Sequence, residues 1–81
     1  MMTLIAAKLL SDCKPGESGK IRSMEMDTAS RQRLLEMGLL VGSRIDVIRL
    51  APLGDPMEIK VRGYLLSLRK SEAGMIHIET V

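Results

Sequence analysis

Apolar and charged residues alternate without a break over Met57-Glu58-Ile59-Lys60-Val61-Arg62. A period of two places Met57, Ile59 and Val61 on one face of a strand and Glu58, Lys60 and Arg62 on the other. Upstream, Arg44-Ile45-Asp46-Val47-Ile48-Arg49-Leu50 is rich in β-branched residues and reads as a second strand. Between them lies Ala51-Pro52-Leu53-Gly54-Asp55-Pro56. Proline fixes φ, glycine accepts positive φ and aspartate bonds its own backbone, so this stretch is a rigid turn and the two strands form a hairpin.

The remaining pattern is shorter-ranged. Pro15-Gly16 signals a type II turn. Residues 17–26 read as a strand in which Ile21 is out of phase with Met24 and Met26, as a bulge or a twist would explain. Asp27 or Thr28 caps a helix whose body is residues 29–37. Leu34, Leu35 and Met37 form its apolar face, Arg31 and Arg33 point elsewhere, and Gly38 suits the left-handed position that ends it. At about ten residues this helix is too short to stand alone, so its apolar face must dock. Residues 39–43 lead back into strand. Residues 64–69 form another strand, with Leu66 and Leu68 on one face and Leu65 on the other. Residues 70–74 are a turn or a single helical turn. Residues 75–80 close the chain, Ile76 and Ile78 inward, His77 and Glu79 outward. Five short strands with one short α-helix after the first make a mostly β domain. A chain this small hides its edges best by curling, so a partly closed, SH3-like β-barrel is expected.

Composition narrows the function. The 81 residues suffice for a single domain, residues 1–81, with one small core and little room for a deep cleft. There is no Phe or Trp and only one Tyr, while seven Met supply the missing bulk. Methionine serves either as an adaptable core filler or as a partly exposed surface for a partner. The net charge of +2, with both signs interspersed, is too weak for a nucleic-acid footprint. Stacking on single strands and grooves for proline-rich peptides both need aromatic rings that this chain lacks. The lone Cys13 permits no intrachain disulfide. The short apolar run at residues 4–7 is interrupted by Lys8, which suits neither a secretion signal nor a membrane span. A cytoplasmic protein is expected.

Catalytic chemistry finds little to work with. One Cys and one His, Cys13 and His77, lie far apart in the chain, and a nucleophile pair would also need an orienting group and an exposed thiol. Gly16-Glu17-Ser18-Gly19-Lys20 has the wrong spacing for a phosphate loop, and Ile21 stands where a hydroxyl belongs. His77 and Glu79 share a strand face, and an imidazole with a carboxylate suits a divalent transition metal such as iron or zinc, with Asp12 and Cys13 as further candidate ligands. Two donors make a surface site at most, and a solvated strand face is the commoner explanation for such a pair. Arg31, Arg33, Arg62, Arg69 and Lys70 alternate with Glu36, Glu58 and Glu72, as a mixed surface does.

The ordered set of motifs resembles ferrous iron transport protein A, the FeoA family. Arg33 to Ser43 is similar to that family's L-x-x-M/L-G-L-x-x-G segment, and residues 51–56 match its A-P-L-G-D-P turn. Gly63 with Leu66-Ser67-Leu68-Arg69-Lys70-Ser71-Glu72-Ala73 matches G-x-x-L-x-L-R-x-x-E-A. Leu10-Ser11-Asp12 with Pro15-Gly16, and residues 76–79, agree with its opening and closing patterns. The resemblance implies an SH3-like barrel. It also implies a small accessory of bacterial ferrous iron uptake, with a FeoB-like permease carrying a cytosolic G domain as partner. Leu39, Leu40 and Leu53, together beside the helix exit and the turn tip, are the residues expected to dock on that partner; the alternative is that they plug the barrel ends. Two other roles remain open: a metal-binding regulator using His77 and Glu79, and an activator of a partner GTPase that lends Arg31 or Arg33. The oligomeric state stays open, a homo-oligomer included.

Overall fold

The computed structural model describes residues 7–80. In chain order these are β1 (Ala7–Leu9), a 3-10 turn (Leu10–Asp12), β2 (Ser18–Met24), α1 (Thr28–Glu36), β3 (Arg44–Leu50), β4 (Met57–Val61), β5 (Tyr64–Leu68), α2 (Lys70–Ala73) and β6 (Ile76–Thr80). The six strands form one antiparallel sheet in the order β1-β6-β2-β3-β4-β5. β1 and β5 are its two edges, so the curled sheet does not close.

Local chemistry accounts for the elements. β3 and β4 pair in antiparallel fashion across the turn at residues 51–56, with Met57, Ile59 and Val61 all buried. Along β2 the register shifts between Ile21 and Ser23. That bulge turns both Ile21 and Met24 into the core despite their odd spacing. At the start of α1 the Asp27 carboxylate accepts the Ser30 N–H at 2.8 Å, satisfying one of the amides a helix start leaves open. Gly38 has a φ of +95° and ends the helix, and Leu39 then donates its N–H to the Leu34 carbonyl at 3.0 Å. Arg62 and Gly63 both have positive φ, 52° and 88°, as a type I′ turn requires between β4 and β5.

The core is aliphatic throughout. Ile21, Ile45, Val47, Ile59, Val61, Leu68, Ile76 and Ile78 come from the strands, Leu10 from the 3-10 turn, and Leu34 and Leu39 from α1 and its exit. Met24 and Met57 are buried and Met26 and Met37 pack against the core, so these four supply bulk in place of rings. Two features differ from the sequence expectation. A sixth strand, β1, precedes the rest: its three residues are too few to show a period, and Lys8 breaks the apolar run. Residues 70–73 form a second short helix, α2.

Candidate partner-docking surface

The turn at residues 51–56 is held from inside. Gly54 donates its N–H to the Ala51 carbonyl at 2.7 Å, and Ala51 donates to the Pro56 carbonyl at 3.0 Å. The Asp55 carboxylate accepts the Lys70 N–H at 2.9 Å, capping the start of α2 and tying the turn to the β5–α2 corner. Held by these bonds, the turn presents Leu53 at its tip, 93% exposed. Beside the turn lies a concavity of about 300 Å³ lined by Leu50, Ala51, Pro52, Pro56 and Ser67 together with the Arg49–Glu58 ion pair.

The other expected docking residues fall elsewhere. Leu39 is completely buried, because the bond from its N–H to Leu34 folds the helix exit back over the core; it offers no surface and is corrected here to a core residue. Leu40 is 39% exposed and Val41 64%. Both precede β3, whereas Leu53 follows it. The strand's seven residues set the two sites at its opposite ends, a contour of about 20 Å, so Leu40 and Leu53 do not form one patch. Val41 instead lines a second concavity with Met24, Arg31 and Leu35, between β2 and α1.

The metal candidates are brought to one face without a ligand set. His77 Nε2 lies 3.5 Å from Glu25 Oε2, and Glu79 Oε1 lies 3.8 Å from Arg22 Nε. Among the described residues no three His, Cys, Asp or Glu side chains converge as ion ligands. An ion at His77 and Glu79 would take its remaining donors from outside these residues. Asp12 is exposed. Cys13 is buried beneath the 3-10 turn, where its thiol donates to the Leu9 carbonyl at 3.6 Å and burial pushes its pKa up. A neutral, enclosed thiol suits packing rather than ligation or attack.

The two helix arginines are engaged within the molecule. Arg31 donates to the Met24 carbonyl at 2.9 Å, and Arg33 forms an ion pair with Glu72 of α2. Neither projects a guanidinium without a partner, which an arginine lent to another protein's phosphate requires. Glu72 is the residue the sequence hid. It is buried, it takes the Arg69 N–H at 3.1 Å with one oxygen, and it faces Arg33 with the other, so it joins α2 to α1. The Tyr64 hydroxyl likewise donates to the Met37 carbonyl, holding the end of α1 against the start of β5.

The sequence model of the FeoA domain family matches residues 8–80. The Fe(2+) transport protein A/Fe(2+) transporter FeoB fusion protein of Porphyromonas gingivalis is 36% identical over 72 residues, which is 89% of this chain and 8% of the fusion protein. This chain thus spans under a tenth of that relative. Among solved structures, the FeoA protein of Chlorobium tepidum superposes with a TM-score of 0.86 at 38% identity, over 91% of this chain and 70% of the other. The zinc complex of Stenotrophomonas maltophilia FeoA, described as a prokaryotic SH3 domain protein, superposes with a TM-score of 0.75 at 25% identity, over 88% of each chain.

Proposed function

The chain belongs to the FeoA domain family, and on that premise we propose that it is a non-catalytic accessory of ferrous iron uptake that docks on a FeoB-type permease at the cytoplasmic side of the membrane. The observation that carries this reading is the Porphyromonas gingivalis relative, in which a matching segment and the FeoB transporter are one polypeptide. Covalent fusion holds two modules at high effective concentration, an arrangement that favours partners acting together. The SH3-like fold supplies a rigid scaffold, and none of the described helices is long and apolar enough to cross a membrane.

Leu53 is the contact this reading uses first. A leucine held 93% exposed on an internally bonded turn has nothing of its own chain to bury against. Covering it with a partner would contribute about 2 kcal/mol, a factor of roughly 30 in affinity. The permease, purified in detergent and immobilised, is titrated with the wild-type chain, Leu53→Glu and Leu40→Glu. Leu53→Glu is expected to weaken binding by about tenfold or more with an unchanged melting temperature. Leu40→Glu separates the opposite end of β3 from the contact. Binding undiminished in both variants rules out docking through these side chains, and no binding by the wild type rules out the permease as partner.

A further inference from the structure

The two edges of the sheet differ in how they are protected. β1 has three residues, and its Lys8 is bonded to Glu17 at 2.7 Å; brevity and charge both discourage another strand from adding there. β5 reads Tyr-Leu-Leu-Ser-Leu, with no charge, no proline and no bulge. The type I′ turn fixes which of its backbone groups are engaged. A two-residue turn makes its flanking pair, Val61 and Tyr64, a hydrogen-bonded pair. The alternation that follows makes Leu66 and Leu68 bonded partners of β4 and leaves Leu65 and Ser67 in non-bonded pairs. The N–H and C=O of Leu65 and Ser67 therefore point away from β4, along an edge where the sheet order ends. Both residues are exposed, Leu65 at 57%.

Charge around this edge is mostly positive. The one acid of β4 that faces it, Glu58 opposite Ser67, is paired with Arg49 at 3.1 Å. Arg62 precedes the edge, Arg69 and Lys70 follow it, and Lys60 lies opposite Leu65 on β4. None of these four side chains forms an ion pair among the described residues. We propose that the β5 edge, Tyr64–Leu68, receives an extended segment of a partner protein as a seventh strand. That segment pairs with Leu65 and Ser67 through its backbone, covers Leu65 with an apolar side chain and carries acidic residues at both ends. Main-chain bonds give such a strand its affinity, and flanking charge selects an acidic partner over a basic one. A second copy of this chain fits less well. Pairing β5 with β5 so that Leu65 meets Ser67 sets Arg62 opposite Lys70 at each end, a like-charge contact. The groove of Pro52, Pro56 and Ser67 continues this edge toward Leu53. The inference rests on the docking reading above only for the identity of the partner.

The probe is a synthetic peptide with an alternating valine–threonine centre and two aspartates at each end, compared with the same centre flanked by lysines. Amide hydrogen exchange is followed residue by residue. The acidic peptide is expected to slow exchange at Leu65 and Ser67 by about tenfold or more, and the basic peptide to leave it unchanged. Ser67→Pro removes an outward donor that β4 does not use, and Leu65→Glu places on the edge a charge that repels the acidic peptide; each is expected to abolish the protection while melting as a folded protein. Unprotected Leu65 and Ser67 amides at saturating acidic peptide overturn the proposal. So does protection without peptide that grows with protein concentration, which would assign the edge to a second copy. Permease binding that persists undiminished in both folded variants also overturns it, while leaving the docking reading intact.

Discussion

Replacing Arg33 with alanine strands a carboxylate. Glu72 has a side chain only 12% exposed, and its one cationic partner among the described residues is the Arg33 guanidinium, itself 55% exposed. Removing one member of a fully buried pair costs about 3–5 kcal/mol, whereas a fully exposed pair contributes about 0.2–1. One buried and one half-exposed member places Arg33→Ala at about 2 kcal/mol. For a domain of this size that lowers the melting temperature by about 8–16 °C. The second mutation is Glu72→Gln. It keeps an acceptor for the Arg69 N–H, so the cap at α2 survives while the charge is lost. Arg33→Ala in the Glu72→Gln background no longer leaves a buried charge, and its additional cost shrinks. A double-mutant cycle by urea denaturation is expected to give a coupling of about 1–2 kcal/mol. A coupling below about 0.5 kcal/mol would mean that the pair does not join the two helices, and the role assigned to Glu72 would fall.

Three further outcomes follow from burial and charge. Leu39→Ala should destabilise the fold by about 2–5 kcal/mol in denaturant titrations and Leu53→Ala by less than about 0.5, since the first empties a core site and the second trims a solvent-facing tip. Cys13 is expected to resist iodoacetamide at pH 8 in the native protein and to react once denatured, because burial raises its pKa and encloses it; native labelling at the denatured rate would contradict its placement. The carboxyl groups of Asp46, Asp27 and Glu17 sit below their ordinary values of 3.8, 3.8 and 4.5, held by the Ser18 hydroxyl, the Ser30 hydroxyl and amide, and the Lys8 ammonium. A depressed folded-state pKa gives stability that is present above the unfolded value and lost as pH falls through the folded one. Stability should therefore hold from neutrality to about pH 5 and decline below it, and Ser18→Ala should make that decline shallower in melts taken across pH.

The hairpin of β3 and β4 was legible because one side of β4 is buried and its period of two is unbroken from Met57 to Val61. The phase error at Ile21 announced the bulge for the same reason: only an extra residue lets Ile21 and Met24 face one core. Asp27 and Gly38 marked the ends of α1 through chemistry carried by single residues. β1 was not legible, since three residues around Lys8 show no period and are strand only because β6 is there to pair with. Of the expected docking residues, the exposure of Leu53 was legible, since a turn tip faces solvent, and so was the outward phase of Leu65 against Leu66 and Leu68, though the pattern gave Leu65 no role. It failed at Leu39, where neighbours in sequence, Leu39 and Leu40, are split between core and surface by the way the helix ends. It failed again in joining Leu40 to Leu53, which the length of β3 keeps apart. The Arg33–Glu72 pair connects distant parts of the chain, and no local pattern reports it.

The pairing of Ala7 with Glu79 has a consequence for how this domain can be built into larger chains. Cα atoms of directly opposed antiparallel residues lie about 5 Å apart. The path into β1 and the path out of β6 therefore share one corner of the sheet. Splicing the domain into a loop of a host protein would ask that loop to open by little more than one strand spacing, at small entropic cost. Circular permutants that join the two paths and open the chain between Leu50 and Met57 should keep the same sheet order.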